Sequence, residues 1–213
     1  VGTVHHGLPG SLLPFNAKPK GDYLAFLGRI SPEKRPDRAI KIAASAEMPL
    51  KIAAKIDKMD QAYWDEVVGP LVAAHPNVEF IGEIDERQKA DFLGNARGLL
   101  FPIDWPEPFG LVMIEAMACG TPVVAFGCGS VPEVIDDGVS GFVVHDIAEA
   151  VAAVRKISTL GRATVRATFE KRFTIERMAD DYVSIYRSLS GVRRDAARLR
   201  RAAGQNLGLQ VIT

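Results

Sequence analysis

The sequence predicts an α/β domain: a doubly wound parallel sheet with helices on both faces and further helices at the C-terminal end. Three observations predict it. Short runs rich in Val, Ile, Leu and Ala alternate with segments of helical periodicity. Most positions in these runs are apolar, as in strands of a parallel sheet covered on both faces. Hydrophobic residues make up 47% of the 213, enough for a core on each side of a sheet.

Residues 22–28 (DYLAFLG) read as the first strand. Residues 35–46 follow as a helix with Ala39, Ile42 and Ala43 on one face. Residues 50–55 (LKIAAK) are a strand, and 60–74 a helix that Gly69-Pro70 is placed to bend. Residues 77–82 (NVEFIG) are a strand, and 85–96 a helix with Asp85 as its N-cap. Residues 98–102 form a strand, 110–119 a helix and 121–126 a strand. A short helix (131–137), a short strand (140–145) and helices over 147–160, 162–171 and 175–190 complete the pattern. Residues 1–20 read as a linker, 21–190 as the domain and 191–213 as a basic tail.

Charge balances at 26 basic against 26 acidic residues, which argues against nucleic acid as a whole-domain partner. Cys119 and Cys128 fit a reduced, cytoplasmic protein better than a disulfide scaffold, and two thiols without a His cluster make no zinc site. No apolar run approaches the ~18 residues of a membrane span, and the first residues show no signal-peptide pattern. The chain opens without Met, inside a strand-like fragment, and reads as a piece of a longer protein. The Arg-rich tail (Arg193, Arg194, Arg198, Arg200, Arg201) suits a solvated helix end or, alternatively, a peripheral contact with anionic lipid.

In sheets of this kind ligands bind beyond the carboxyl ends of the strands, so chemistry is expected after Leu27, Pro102 and Phe126. The first of these loops, GRISPEKRPDRAI, crowds Arg29, Lys34 and Arg35 at a helix start. Cations are unfavourable at the positive end of a helix unless an anion joins them. Either a phosphate sits there, held by an Arg fork and a Lys point charge, or the loop is a solvated basic surface with Glu33 and Asp37 as partners. Gly28 permits a tight strand exit. Neither a P-loop nor the dinucleotide glycine fingerprint is present.

The second loop, IDWPEPFG, puts Glu107 between Pro106 and Pro108, and Gly110 at the helix start. The free amides near Phe109, Gly110 and Leu111 suit an anion or oxyanion. Glu115 lies about 7 Å further along the helix at ~1.5 Å per residue. A glycosidase pair needs carboxylates ~5–9.5 Å apart across one bond. Glu107 and Glu115 are expected ~10 Å or more apart, touching different parts of one elongated ligand. Glu115 sits among Val112, Met113, Ile114, Ala116 and Met117 and needs a partner: a vicinal diol or a core salt bridge. Glu107 alternatively serves only as a helix N-terminal acid. The third loop, GCGSVPEV, brackets a helix start with Gly127 and Gly129, so backbone amides there can again face a ligand.

Taken together, FLGRISPEK, EPFGLVMIE (an E-x7-E pattern), EAMACGTPVVA and VPEVIDDGVSGFVV resemble the donor-binding half of glycosyltransferase family 4. That family has two facing Rossmann-like domains, the GT-B architecture, and the likeness covers about residues 22–190. The resemblance implies a nucleoside-diphosphate sugar as substrate, retaining transfer to an acceptor hydroxyl, and no metal or other cofactor. It implies that Arg29 and Lys34 hold the diphosphate and stabilise the leaving group, and that Glu107 lies against the donor sugar. It implies amides of Phe109, Gly110 and Leu111 on sugar and phosphate, Glu115 on the ribose hydroxyls, and Gly82, Glu83 and Ile84 near the base. Lys55 stands where the family usually has small residues, as a phosphate contact or a surface cation. VGTVHHGLP resembles the crossover from an acceptor-binding N-terminal half, which makes His5 and His6 linker residues. A sugar-nucleotide 2-epimerase and a non-catalytic nucleotide-binding module are the alternatives.

Overall fold

The structure, a computed structural model, describes residues 2–206, with side chains described for 2–190. Six parallel strands form one sheet in the order β3-β2-β1-β4-β5-β6. They are β1 (Leu24–Arg29), β2 (Leu50–Lys55), β3 (Val78–Gly82), β4 (Gly98–Phe101), β5 (Val123–Phe126) and β6 (Gly141–Val144). The order reverses between β1 and β4, the place where a doubly wound sheet offers a crevice. β1 pairs with β2 along its whole length, from Leu24↔Leu50 to Arg29↔Lys55. With β4 it pairs only at Leu24↔Gly98 and Ala25↔Leu99. The two central strands therefore part towards their carboxyl ends.

Helices cover both faces, as the doubly wound reading predicts. On one face Leu24, Phe26, Ile52, Leu100 and Val124 pack against Ile40 and Ala43 of α1 (Pro36–Ser45) and Ala150 and Val154 of α7 (Ile147–Lys156). On the other, Ala25, Ala53, Leu99 and Ala125 leave room for larger helix side chains. These are Leu93 of α4 (Glu86–Gly94), Met113 and Met117 of α5 (Leu111–Ala118), and Val165 and Phe169 of α8 (Arg162–Arg172). The alternation of Leu24 and Phe26 with Ala25 is the two-residue period of a strand sorting side chains to two cores. Asp85 caps α4 as expected, its Oδ1 accepting from Gln88 N at 2.9 Å while its own amide donates to Gln88 Oε1 at 2.9 Å.

Two helices differ from the sequence reading. The helix expected over 60–74 is α2 (Gln61–Tyr63), a π-helical stretch (Trp64–Val68) and α3 (Gly69–Ala74). Pro70 has no amide for the ordinary helical bond, and the wider turn before it absorbs the loss, with Gly69 N bonded to Trp64 O. α9 runs from Ile175 to Asn206, beyond residue 190, where the helix was expected to give way to the tail. Gly191 and Gly204 each cost a helix only about 1 kcal/mol, and the Ala and Arg between them are good helix formers. The tail's arginine side chains lie outside the described ones.

Residues 2–20 hold no helix or long strand, yet they are docked. Leu13 is fully buried, and Leu8 bridges to Thr174. Arg166 donates to the carbonyls of Leu13 (3.1 Å) and Gly10 (2.9 Å), and Arg162 to that of Asn16 (2.7 Å). Thus α8 fastens the N-terminal segment beneath α5. α6 (Val131–Val134) follows the third loop.

Candidate functional site

A cavity of about 240 Å³ opens where β1 and β4 part. Phe26, Leu27, Gly28, Arg29 and Lys34 line it from one side, and Phe101, Glu107, Gly110, Leu111 and Val112 from the other. The first two loops expected to carry chemistry thus share one cleft. A wider, open depression of about 500 Å³ is lined by Pro32, Glu33, Arg35, Asp37, Tyr63 and Asp104. The smaller cleft lies at the strand switch point, beyond the carboxyl ends of β1 and β4, and is for that reason the stronger site.

The first loop is a turn built on buried Ser31, whose carbonyl accepts from Lys34 N (3.1 Å) and Arg35 N (3.2 Å). Arg35 then adopts a left-handed conformation, φ 53 and ψ 50, unusual for a residue with a Cβ. Ion pairs compensate: Arg35 Nε lies 2.9 Å from Asp37 Oδ1 and Nη1 lies 2.5 Å from Asp104 Oδ2. Tyr63 OH donates to Asp37 at 2.7 Å. Burial pushes the Asp37 carboxyl up, but bonds from Arg35 and Tyr63 outweigh it and hold it below the ordinary value. The same burial, with Asp37 as acceptor, raises the Tyr63 phenol. Arg35 is therefore a structural residue of the loop, while Arg29 and Lys34 face the cleft. Arg29 is half exposed, 3.4 Å from Glu33 and 3.9 Å from Asp57.

In the second loop Glu107 is paired directly with Lys34, and Trp105 Nε1 donates to the same carboxylate oxygen at 2.8 Å. Lys34 Nζ lies 5.2 Å from the Trp105 ring centre and 5.8 Å from that of Phe101, within cation–π range. The side chains of Lys34 and Glu107 are only 18% and 11% exposed, so this pair is little screened by water. Sequence reasoning placed both residues in the site but did not anticipate that they bond to each other.

The third loop corrects an expectation. Four of its amides are spent within the protein, while that of Gly129 has no acceptor among the described residues. Those of Gly127, Cys128, Ser130 and Val131 donate to Val144 O, Phe126 O, Glu107 O and Cys128 O. Ser130 Oγ also donates to Phe109 O at 2.9 Å. The loop is a clamp on the Glu107 turn. Gly129, at φ 58, lies so close that a Cβ would stand 2.4 Å from both N and O of Glu107. From the other side Arg38 donates to the carbonyls of Pro102 (3.1 Å) and Ile103 (3.3 Å).

Gly110 begins α5 at φ 76, where a Cβ would press on Met113 Cε (2.8 Å) and Phe101 Cζ (3.0 Å). Among the described residues the amides of Phe109, Gly110 and Leu111 have no acceptor, so this helix start retains its free donors. The Phe109 side chain is buried against Phe173 and meets the His6 ring edge-on at 4.9 Å. His6 and His5 are thus packing residues of the docked segment, with Arg177 Nη2 donating to the His5 carbonyl at 2.6 Å.

Glu115 is 9% exposed, and its required partner is Lys89 of α4, whose Nζ lies 2.9 Å from Oε1. Burial lowers the Lys89 ammonium, but bonds to Glu115 and Glu86 outweigh it and raise it above the ordinary value. The sequence demanded a partner for Glu115 but carried no signal for Lys89, 26 residues away on another helix. Ile84 is half-buried against the α4/α5 core, beyond Gly82 at φ 78. Ile84, Phe109 and Glu115 do not line the cleft itself. Lys55 is paired with Asp57 at 3.0 Å and stands beside Arg29 in the sheet register. Burial pushes the Cys119 thiol up to about 11, and Cys128 is half-buried; both are free. Among the described residues no helix is long and apolar enough to cross a membrane, and no group of three or more His, Cys, Asp and Glu is suited to a metal ion.

Comparisons with known proteins show the family. Residues 14–169 match the family described as "Glycosyl transferases group 1". The D-inositol 3-phosphate glycosyltransferase of Mycolicibacterium smegmatis is 34% identical over 173 residues, 75% of this chain and 39% of that protein. Its counterpart in Mycobacterium leprae is 31% identical over 80% of this chain and 42% of that protein. The chain thus spans about two fifths of the length of these curated relatives. Among solved structures, AviGT4, a glycosyltransferase involved in avilamycin A biosynthesis, superposes with a TM-score of 0.76 and 26% identity, over 88% of this chain and 58% of its own. HepE of Anabaena in complex with UDP-glucose shares the fold at 21% identity and a TM-score of 0.68, over 85% of this chain and 56% of its own. The C-terminal domain of a group 1 glycosyl transferase (LpcC) of Francisella tularensis, crystallised by itself, shares it at 18% and 0.68, over 79% of this chain and 100% of its own. The chain belongs to the group 1 glycosyl transferases and has the fold of a C-terminal GT-B domain.

Proposed function

We propose that this domain binds the nucleotide-sugar donor of a retaining, metal-independent glycosyltransferase, which moves a sugar to an acceptor hydroxyl held by a separate N-terminal domain. One observation carries the reading: two cations, a carboxylate and unpaired helix-start amides converge on one cleft at the strand switch point. Arg29 and Lys34 suit a diphosphate, and the amides of Gly110 and Leu111 suit its oxygens or sugar hydroxyls. Glu115 offers a carboxylate to the ribose diol. Structural neighbours crystallised with UDP and UDP-glucose support this donor class.

In this reading the bond from the anomeric carbon to the diphosphate oxygen breaks, and the nucleoside diphosphate leaves with its electrons. Arg29 and Lys34 take up the charge gathering on the leaving group, the role a metal ion plays elsewhere. Lys34 exchanges Glu107 for the diphosphate when donor binds, which frees Glu107 to face the positive charge at the anomeric carbon. The acceptor hydroxyl attacks from the face the leaving group departs, and its proton passes to the departing diphosphate.

The test is a thermal-shift screen in EDTA against UDP, GDP, ADP and their sugars, followed by calorimetry. At least one nucleotide is expected to stabilise the domain without metal, and Glu115→Ala to abolish binding. No stabilisation by any of them, or binding that requires a divalent ion, refutes the reading.

A further inference from the structure

We infer that Lys89 is a positioning residue for ribose recognition, an inference that rests on the donor-binding reading above. Its ammonium lies 2.9 Å from Glu115 Oε1 and 3.0 Å from Glu86 Oε2. Glu115 Oε2 has no hydrogen-bond partner among the described residues, and it is not sealed from solvent. The carboxylate is therefore asymmetric, with one oxygen anchored and the other open. The Glu115 side chain is 12% exposed and that of Lys89 22%, so both are largely withdrawn from water.

A vicinal diol donates two hydrogen bonds in a fixed spread, so a carboxylate that reads it must be held in one rotamer. Glu115 has three side-chain torsions and a free glutamate would sample many states, each ordered at an entropic cost. Lys89 removes that freedom before the ligand arrives. Oε1 has a second acceptor direction left, so the anchor and one hydroxyl share that oxygen while Oε2 takes the other. Lys89 also projects from α4, the helix that starts directly after Gly82, Glu83 and Ile84, the segment assigned to the base. The base-side helix thereby sets the ribose-side carboxylate, and the two subsites are fixed relative to each other.

A purely structural Lys89 would only neutralise a partly buried acid. Ligand discrimination separates the roles. UDP, GDP and ADP, each with its 2′-deoxy form, are titrated into the wild type, Lys89→Met, Lys89→Arg and Glu115→Gln. The wild type is expected to prefer the ribose form of its nucleotide by about tenfold to a hundredfold, the worth of hydrogen bonds to a charged group. Lys89→Met brings that ratio towards one, because the ribose form loses two oriented hydrogen bonds and the deoxy form only the one from its 3′-hydroxyl, and Lys89→Arg restores most of it. If Lys89→Met does not fold, Lys89→Gln, which keeps a polar end but loses the charge, takes its place in the same comparison and is expected to lower the ratio. An unchanged ratio in folded Lys89→Met or Lys89→Gln, with the ratio lost in Glu115→Gln, overturns the role of Lys89 and leaves the donor site standing. Absence of ribose preference in the wild type overturns both.

Discussion

Replacing Gly129 by alanine tests the clamp on the Glu107 turn. Gly129 is at φ 58, and its Cβ would stand 2.4 Å from Glu107 N, 2.4 Å from Glu107 O and 2.7 Å from Pro106 C. These are backbone atoms, so no side-chain rotation relieves the clash. A Cβ in the left-handed region costs about 1–2 kcal/mol and an overpacked contact about 1–3 more, giving about 2–5 kcal/mol in all. Gly138 supplies the control: it has φ 73, but nothing lies within 4 Å of its Cβ position. Gly138→Ala is expected to lose only the dihedral part, about 1–2 kcal/mol. Urea unfolding of both variants measures the difference, and titration with the donor nucleotide sugar reads the consequence for the site. Gly129→Ala should bind donor more weakly even where folded, because relief requires the Glu107 turn to move. Gly138→Ala should bind as the wild type does. Equal destabilisation of the two, or unimpaired donor binding by folded Gly129→Ala, refutes the clamp.

Other consequences follow from single contacts. Lys34→Met should weaken donor binding by about tenfold to a hundredfold and flatten its salt dependence, measured by calorimetry; unchanged affinity removes Lys34 from the diphosphate site. The Asp37 carboxyl lies below its ordinary value in the fold, so its contribution is present above the unfolded pKa of about 3.9 and lost as pH falls through the folded one. Asp37→Asn should therefore cost about 2 kcal/mol at neutral pH, and its unfolding midpoint should approach that of the wild type in acid. The buried Cys119 thiol, pushed up to about 11, should resist a thiol reagent at pH 8 until the domain unfolds, while half-buried Cys128 reacts in the native state. Equal labelling rates for the two cysteines would contradict that burial.

The parallel sheet was legible because its strands are mostly apolar and the helices between them keep a helical period. The cleft was legible for the same reason: strand ends, prolines and glycines mark loops, and charges in such loops stand out. What the sequence hid was pairing at long range. Lys34 with Glu107 spans 73 positions and Lys89 with Glu115 spans 26, and no local pattern encodes which lysine meets which acid. Gly127 and Gly129 were legible as loop glycines, but not as a clamp, because only the folded distance to Glu107 shows what the missing Cβ is for. The π turn before Pro70 escaped for a different reason. A proline announces a disturbed helix without saying whether the chain kinks, stops or widens.

The most direct test of the donor-site assignment is a crystal structure of the domain with the nucleoside diphosphate that stabilises it, grown in EDTA. The diphosphate should lie against Arg29 and Lys34 with Lys34 released from Glu107, and the ribose diol on Glu115 with Lys89 still bound to Oε1. A nucleotide bound outside the β1/β4 cleft, or a diphosphate held through a metal ion with Lys34 still paired to Glu107, would contradict it.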